Sequence, residues 1–203
     1  MNRGVCFVVY GEAARLEAEQ SIQSLRLFND LPVSVIGDHV IGADNIEFQQ
    51  MDAGGRWGKL HLTNLSPYTF TLYLDADTRP HGDLSTGFEM LMDGWDMVIA
   101  CSSQQGDDLL WHVGQEEREA TLLDGRNSLP LQLQAGVMFV RKCKETDRLF
   151  SAWRSEWLRW KGEDQAALLR ALEVVPVRLW LLGYPWSGGA LIGHRWGAIR
   201  RMK

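Results

Sequence analysis

No apolar run in this 203-residue chain is long enough to cross a bilayer, so no segment reads as a transmembrane anchor. Cysteine is scarce. Cys6, Cys101 and Cys143 are far apart, odd in number and form no CxxC pair, which excludes a disulfide framework and a zinc knuckle. That pattern favours a reducing compartment, the cytoplasm. An excess of basic charge is missing as well. With 21 Lys and Arg against 26 Asp and Glu, a net charge of −5 and a pI near 5.5, the chain has no basic footprint, and nucleic acid is excluded as a partner. Internal repeats, low-complexity tracts and linkers are also absent. The N-terminal apolar run, residues 5–10, is brief, meets Glu12 at once and has no small-residue cleavage site; it reads as a buried strand and not as a signal segment.

An apolar share of 45% and a charged share of 23% are those of an ordinary globular protein, and the length suits one core, so residues 1–203 read as one α/β domain. An acidic protein that handles phosphates needs a cation to neutralise their approach, which makes a metal site worth seeking.

Residues 5–10 are apolar, β-branched and aromatic and end at Gly11, as a parallel strand buried on both faces does. Ala14, Ala18, Ile22 and Leu25 recur at helical spacing with charged residues between them. Pro32 introduces a second strand, residues 33–36, stopped by Gly37-Asp38. Strand, helix and strand make a βαβ unit, hence a mostly parallel sheet flanked by helices. Asp52-Ala53-Gly54-Gly55 is a loop; residues 57–65 form a short helix broken at Ser66-Pro67. Residues 70–74 read as a central strand running into Asp75-Ala76-Asp77, and Thr78-Arg79-Pro80 ends it because proline cannot continue a ladder. Strands are predicted at 97–100, 136–141 and 174–179, and helices at 144–160 and 165–172. Residues 102–132 are polar and weakly periodic, so long loops with some helix are expected there.

Asp75 and Asp77 carry the chemistry. Two carboxylates one residue apart at the C-terminal end of a buried strand stand where open α/β sheets place their ligands. In extended backbone, residues i and i+2 point the same way, and a hard divalent ion relieves their mutual repulsion. A solvated acidic turn is the plainer use of the same residues. Aspartyl-nucleophile phosphatases of the haloacid dehalogenase type also begin with strand and D-x-D, but their fifth position is Thr or Val, and here it is Arg79.

Lys59-Leu60-His61-Leu62 through Tyr73-Leu74-Asp75-Ala76-Asp77-Thr78 resembles glycosyltransferase family 8, the group containing glycogenin and bacterial lipopolysaccharide galactosyltransferases. Gln134-Ala135-Gly136-Val137 resembles that family's N-[AS]-G-V strand, with Gln134 for asparagine. Asp164-Gln165 resembles its D-Q segment, and His194 through Arg200 resembles its H-x-x-G-x-x-K signature, with Arg200 for lysine. The matches run in order from about residue 5 to 200. The resemblance implies a GT-A (nucleotide-diphospho-sugar transferase) fold, a UDP-sugar donor, Mn²⁺ or Mg²⁺, and transfer with retention at the anomeric carbon. It further implies that Asp75, Asp77 and His194 bind the metal. Lys59 and Arg200, with Tyr10, Gly11 and Gly197 near them, would contact the donor, and Gln134, Asp164 and Gln165 would lie near the transferred sugar.

Each residue has a commoner use. Histidines among glycines are usually loop residues, lysines on short helices are usually solvated, and an aspartate before a helix usually caps it. Tyr10 suits uracil stacking and core packing equally. The series Trp153, Trp157 and Trp160 reads as core, whereas Trp57, Trp186 and Trp196, near glycines, are candidates for stacking on sugars. A degenerate relative that binds nucleotide or glycan without turnover is the alternative, and a nucleotidyltransferase ranks below it, because the loop after the first strand, Gly11 to Arg15, is not glycine-rich. The acceptor, whether carbohydrate, lipid-linked or protein, has no readable code in the sequence.

Overall fold

The structure, a computed structural model, describes residues 2–49, 55–102, 109–123 and 131–201, except for the side chains of Leu123, Arg200 and Arg201. Most of the Asp52–Gly55 loop and much of residues 102–132 therefore lie outside the described residues. In chain order the first half runs β1 (Arg3–Val9), α1 (Glu12–Arg26), β2 (Val33–Gly37), β3 (Asp44–Ile46), α2 (Arg56–Leu60), α3 (Leu62–Leu65), β4 (Phe70–Leu74) and β5 (Thr78–Pro80). There follow α4 (Ser85–Met92), β6 (Met97–Cys101), α5 (Gln115–Leu123), β7 (Leu133–Arg141), α6 (Lys144–Trp160) and α7 (Asp164–Val174). The chain ends in β8 (Leu179–Leu182), a 3₁₀ turn at Tyr184–Trp186, β9 (Ile192–His194) and α8 (Ala198–Arg201).

Seven strands form one sheet in the order β3-β2-β1-β4-β7-β6-β8. Only β7 is antiparallel to its neighbours. The sheet is buried on both faces, which is why β1 and β4 read as continuous apolar runs and not as alternating ones. Val5, Phe7 and Val9 of β1 pack with Ala18, Ile22 and Leu25 of α1 and Phe88 of α4. Cys6, Val8 and Tyr73 face the other way, toward Leu60 of α2, Trp153 and Trp157 of α6, and α7. Helices on both faces of a mostly parallel sheet are the arrangement the first βαβ unit predicts.

Two devices aim the site. Along β7, Leu133 and Ala135 lie on the α6 face, but Val137 and Phe139 lie on the α1 face. This inversion coincides with a register shift against β6, where Ile99 pairs with Met138 and Ala100 with Gln134. Such a bulge re-aims side chains at the sheet's edge; the carbonyl of Gly136 accepts from the N–H of Asp75 at 2.8 Å. On α6, the indole of Trp153 donates to the carbonyl of Asp164 at 2.7 Å and that of Trp157 to Gly162 at 3.1 Å. Two core tryptophans thus fix the turn that delivers Asp164.

The structure departs from the sequence reading at several elements. Residues 57–65 are two short helices, bent at His61. Thr78-Arg79-Pro80 ends the central strand but forms a strand itself, β5, paired with β9 in a separate two-stranded sheet. Pro80 is tolerated there because it stands opposite Ile192 at a position where its N–H is not needed, and the next cross-strand bond is made by the N–H of His81 to the carbonyl of Leu191 at 2.8 Å. The strand predicted at 174–179 lies at Leu179–Leu182, because α7 runs on to Val174.

Candidate functional site

The C-terminal ends of β1, β4 and β6 and the N-terminal end of antiparallel β7 share one edge of the sheet. A cleft of about 650 Å³ opens there, lined by residues including Tyr10, Lys59, Asp75, Asp77, Gln134, Asp164, Gln165, His194 and Gly197. Nine sequence-predicted residues from six parts of the chain thus meet in one place, at the position where α/β sheets bind ligands.

Asp75 and Asp77 follow β4, and β9 brings His194 beside them by pairing it with Thr78. One ligand atom from each of the three lies within 4.8 Å of the other two. His194 Nε2 is 3.1 Å from Asp77 Oδ1 and 3.9 Å from Asp75 Oδ2. Atoms bound at about 2.1 Å in adjacent octahedral positions stand about 3 Å apart, so this set fits one hard divalent cation. The two oxygens of Asp75 divide their work. Oδ1 accepts from Tyr73 Oη at 2.8 Å and pairs with Lys59 Nζ at 3.1 Å, and Oδ2 faces His194.

Gly136 makes this approach possible. A Cβ there would stand 2.5 Å from Asp75 Oδ2 and 2.7 Å from His194 Cε1. Gly136→Ala is therefore expected to preserve the fold while weakening Mn²⁺ binding by about tenfold or more, since overpacking typically costs 1–3 kcal/mol. Isothermal titration with Mn²⁺ checks this, and an affinity equal to the wild type's would show that the three residues do not form a single ligand set.

The His194 strand is tied down by a buried carboxylate on α1. Glu17 pairs with Arg79 at 2.5 Å and with Arg195 at 3.1 Å, and the N–H of Arg195 donates to the carbonyl of Asp77 at 2.9 Å. Ser21 and Thr78 meet at 3.2 Å through their hydroxyls. Trp196 stacks on the His194 ring with centroids 5.0 Å apart.

Lys59 is buried between two carboxylates, 2.8 Å from Asp164 Oδ2 and 3.1 Å from Asp75 Oδ1. Burial pulls its pKa down, but the charges of Asp164 and Asp75 outweigh this and the net shift is upward. Burial pushes Asp164 up, and the adjacent Lys59 more than reverses it, so its pKa is lowered. Burial, with the charge of Asp75 behind it, holds the Tyr73 phenol well above its ordinary range. All three groups keep their ordinary charge states at neutral pH. Asp164 does not cap α7; Glu163 occupies the N-cap position, and Lys59 is not a solvated charge. Gln132 Nε2 donates to Gln165 Oε1 at 2.9 Å and Gln165 Nε2 to Gln134 Oε1 at 2.7 Å, a fixed chain of amides.

Of the remaining candidates, Tyr10 lines the cleft and donates its hydroxyl to the Phe48 carbonyl at 2.6 Å. Gly11 does not line it; its N–H donates to Asp38 Oδ2 at 2.7 Å as the chain turns into α1. The Arg200 side chain lies outside the described residues. Trp196 lines the cleft, whereas Trp57 packs against His61 and Trp157, and Trp186 against Phe139. The sequence reading did not single out Tyr73, Gln132, Trp111 or Ser187. A tyrosine two residues before a strand-end aspartate was the available signal for the first. Ser187 lines the cleft with a buried hydroxyl that has no hydrogen-bond partner among the described residues.

No protein-family model and no curated protein sequence matches the chain. Solved structures do. The apo form of the glycosyltransferase GlyE of Streptococcus pneumoniae TIGR4 superposes with a TM-score of 0.62 at 17% identity, over 92% of this chain and 46% of that one. The galactosyltransferase LgtC, in complex with donor and acceptor sugar analogues, gives 0.59 at 15% identity, over 91% and 74% of the two chains. The fold is GT-A. Mouse xyloside xylosyltransferase 1 shares this GT-A fold, with a TM-score of 0.59 at 12% identity over 92% of this chain and 87% of that one. The chain thus spans less than half the length of GlyE and about three quarters of LgtC.

Proposed function

We propose that the protein is a metal-dependent glycosyltransferase that takes a sugar from a UDP-linked donor and transfers it with retention. The observation that carries this reading is the convergence of Asp75, Asp77 and His194 beside the Lys59–Asp164 pair in one cleft. Asp75, Asp77 and His194 would hold Mn²⁺ or Mg²⁺, which would supply Lewis-acid neutralisation of the charge on the departing diphosphate. Tyr10 offers a ring for the base at the β1 end of the cleft, with Gly197 at the cleft wall and Arg200 on α8 beyond it for the diphosphate. Gln134, held by Gln165, presents its amide to the sugar, and Asp164 places a negative charge where positive charge develops on the ring.

In the reaction the bond from the anomeric carbon to the diphosphate oxygen breaks, and its electron pair leaves with the nucleoside diphosphate. A bond to an acceptor hydroxyl oxygen forms, and the hydroxyl proton passes to the departing diphosphate. Support for that route comes from the cleft's carboxylates among the described residues: Asp75 and Asp77 belong to the metal set, while Asp164 pairs with Lys59 and Glu163 with Arg56 at 2.7 Å. None is a free general base for an inverting attack. Cys6, Cys101 and Cys143 are unpaired, and on that ground we assign the reaction to the cytoplasm. No helix of the described residues is long and apolar enough to cross a membrane.

A thermal-shift titration with UDP, GDP, CDP and ADP, each with and without Mn²⁺, tests the reading. Ligand at about a hundred times its dissociation constant adds roughly 2.7 kcal/mol, or roughly 5–10 °C for a domain of this size. Stabilisation by UDP only when Mn²⁺ is present is expected; a flat response to all four nucleotides would overturn the assignment.

A further inference from the structure

The order of groups along the sheet edge matches the order of groups along a donor. Tyr10 follows β1, the metal-ligand set follows β4, and Gln134 opens β7, so base, diphosphate and sugar take successive strand ends. The next strand is β6, about 5 Å further on. Ser102, the residue after β6, therefore borders the space beyond the sugar, where an acceptor must sit. That space is walled by Ser102 and by Trp111.

Trp111 is 63% exposed, yet the turn that carries it is held firmly. Its neighbours Leu109, Leu110 and Val113 are all buried in the α6-side core. Leu110 sits at φ 56°, left-handed backbone that a leucine adopts only at a cost of about 1 kcal/mol or more. Its N–H donates to Gln132 Oε1 at 2.7 Å, and Arg118 Nε donates to the Leu109 carbonyl at 2.8 Å. Gln132 is the first member of the amide chain that runs through Gln165 to Gln134. A single exposed tryptophan is common on protein surfaces. One raised on a strained, doubly anchored turn at a cleft wall, and linked to the residues of the sugar pocket, is a platform.

We propose that Trp111 is the acceptor subsite and that the acceptor is a saccharide, whose C–H face stacks on the indole. The proposal rests on the glycosyltransferase reading above. A pyranose ring presents a flat apolar face with a rim of hydroxyls. The subsite offers one exposed indole together with polar groups at Ser102 and His112. Stacking on the indole would direct an acceptor hydroxyl back toward the anomeric carbon near Gln134. A lipid chain would need a continuous apolar channel, and among the described residues this wall provides one aromatic face.

The test measures binding of lactose, maltose, cellobiose and chitobiose to the protein held with Mn²⁺ and UDP, by saturation-transfer NMR, for wild type, Trp111→Ala and Trp111→Phe. At least one disaccharide is expected to bind the wild type, with affinity reduced about tenfold or more in Trp111→Ala and partly kept in Trp111→Phe. The UDP–Mn²⁺ thermal shift is expected to stay the same in all three. If the wild type takes up UDP–Mn²⁺ but binds none of the four sugars, or binds one that Trp111→Ala binds equally well, the subsite proposal is overturned and the transferase reading stands. A wild type that does not respond to UDP–Mn²⁺ overturns the reading beneath it.

Discussion

Replacing Asp77 with alanine is expected to abolish the Mn²⁺-dependent stabilisation by UDP while moving the melting temperature of the ligand-free protein by no more than roughly 2–4 °C. The two expectations have one cause. The carboxylate of Asp77 makes a hydrogen bond to His194 at 3.1 Å, which the variant loses. It also stands as a like charge close to Asp75, and removing it relieves that repulsion. These effects oppose each other in the ligand-free protein. With a cation present they no longer do, because the ligand set falls to two members and Asp75 already shares one oxygen with Lys59 and Tyr73. The wild-type gain of roughly 5–10 °C with saturating UDP and Mn²⁺ should then vanish. His194→Ala should weaken metal binding less, since it removes a neutral ligand and leaves both charges. Undiminished UDP affinity of Asp77→Ala in Mn²⁺ would show that the aspartate pair is an ordinary acidic turn.

Lys59→Met is expected to cost about 3–5 kcal/mol of stability, or roughly 6–20 °C. Methionine keeps most of the side-chain volume, so the loss is electrostatic. The Lys59 side chain is only 8% exposed and Asp164 only 9%, and without the ammonium the buried carboxylate is left with only the weaker influence of Arg56. A second change, Asp164→Asn, removes that charge and should recover part of the loss; a double-mutant cycle measures the coupling. Acid should narrow the gap between variant and wild type for two reasons. In the wild type the pKa of Asp164 is lowered, so the stability it contributes is present above the ordinary carboxylate range and fades as pH falls through the lowered value. In the variant burial, the largest influence, is opposed only by the smaller effects of Arg56 and a backbone N–H, so the carboxyl's pKa rises and the penalty is relieved as it takes up a proton. Equal melting temperatures for Lys59→Met and wild type at neutral pH would mean that water or a rearranged Arg56 replaces the ammonium.

Much of the fold was legible in the chain. The strand at residues 70–74, the helix at 144–160 and the opening βαβ unit follow from hydrophobic periodicity and from the breakers Gly11, Pro32 and Gly37. The short strands β5 and β9 were not. Three-residue strands carry no periodic signal, and Pro80 argues against one; they exist because Glu17 and Ser21 on α1 hold the segment around Thr78 in place for β9 to pair with. Asp75 and Asp77 were legible from their spacing, because the position of two residues within one strand end is a local property, whereas His194 was named only through the family resemblance. Of the polar support behind them, Gln134 and Gln165 were named through the resemblance and Tyr73 carried only its spacing as a signal, while Gln132, joined to Gln165 only by packing, carried none.

The sequence by itself determined a parallel α/β sheet, an acidic pair at a strand end, and the residue types suited to a cation and a diphosphate. These depend on local spacing and on which residues must be buried. Only the tertiary structure decided that Lys59 would stand between Asp75 and Asp164, that Gly136 would leave room for a carboxylate and an imidazole, and that Trp111 would line the same cleft as Gln134. Each is a contact between segments remote in sequence. Such contacts are set by the strand order, the bulge in β7 and the close packing of α6 and α7 on the sheet, and no window of neighbouring residues contains them.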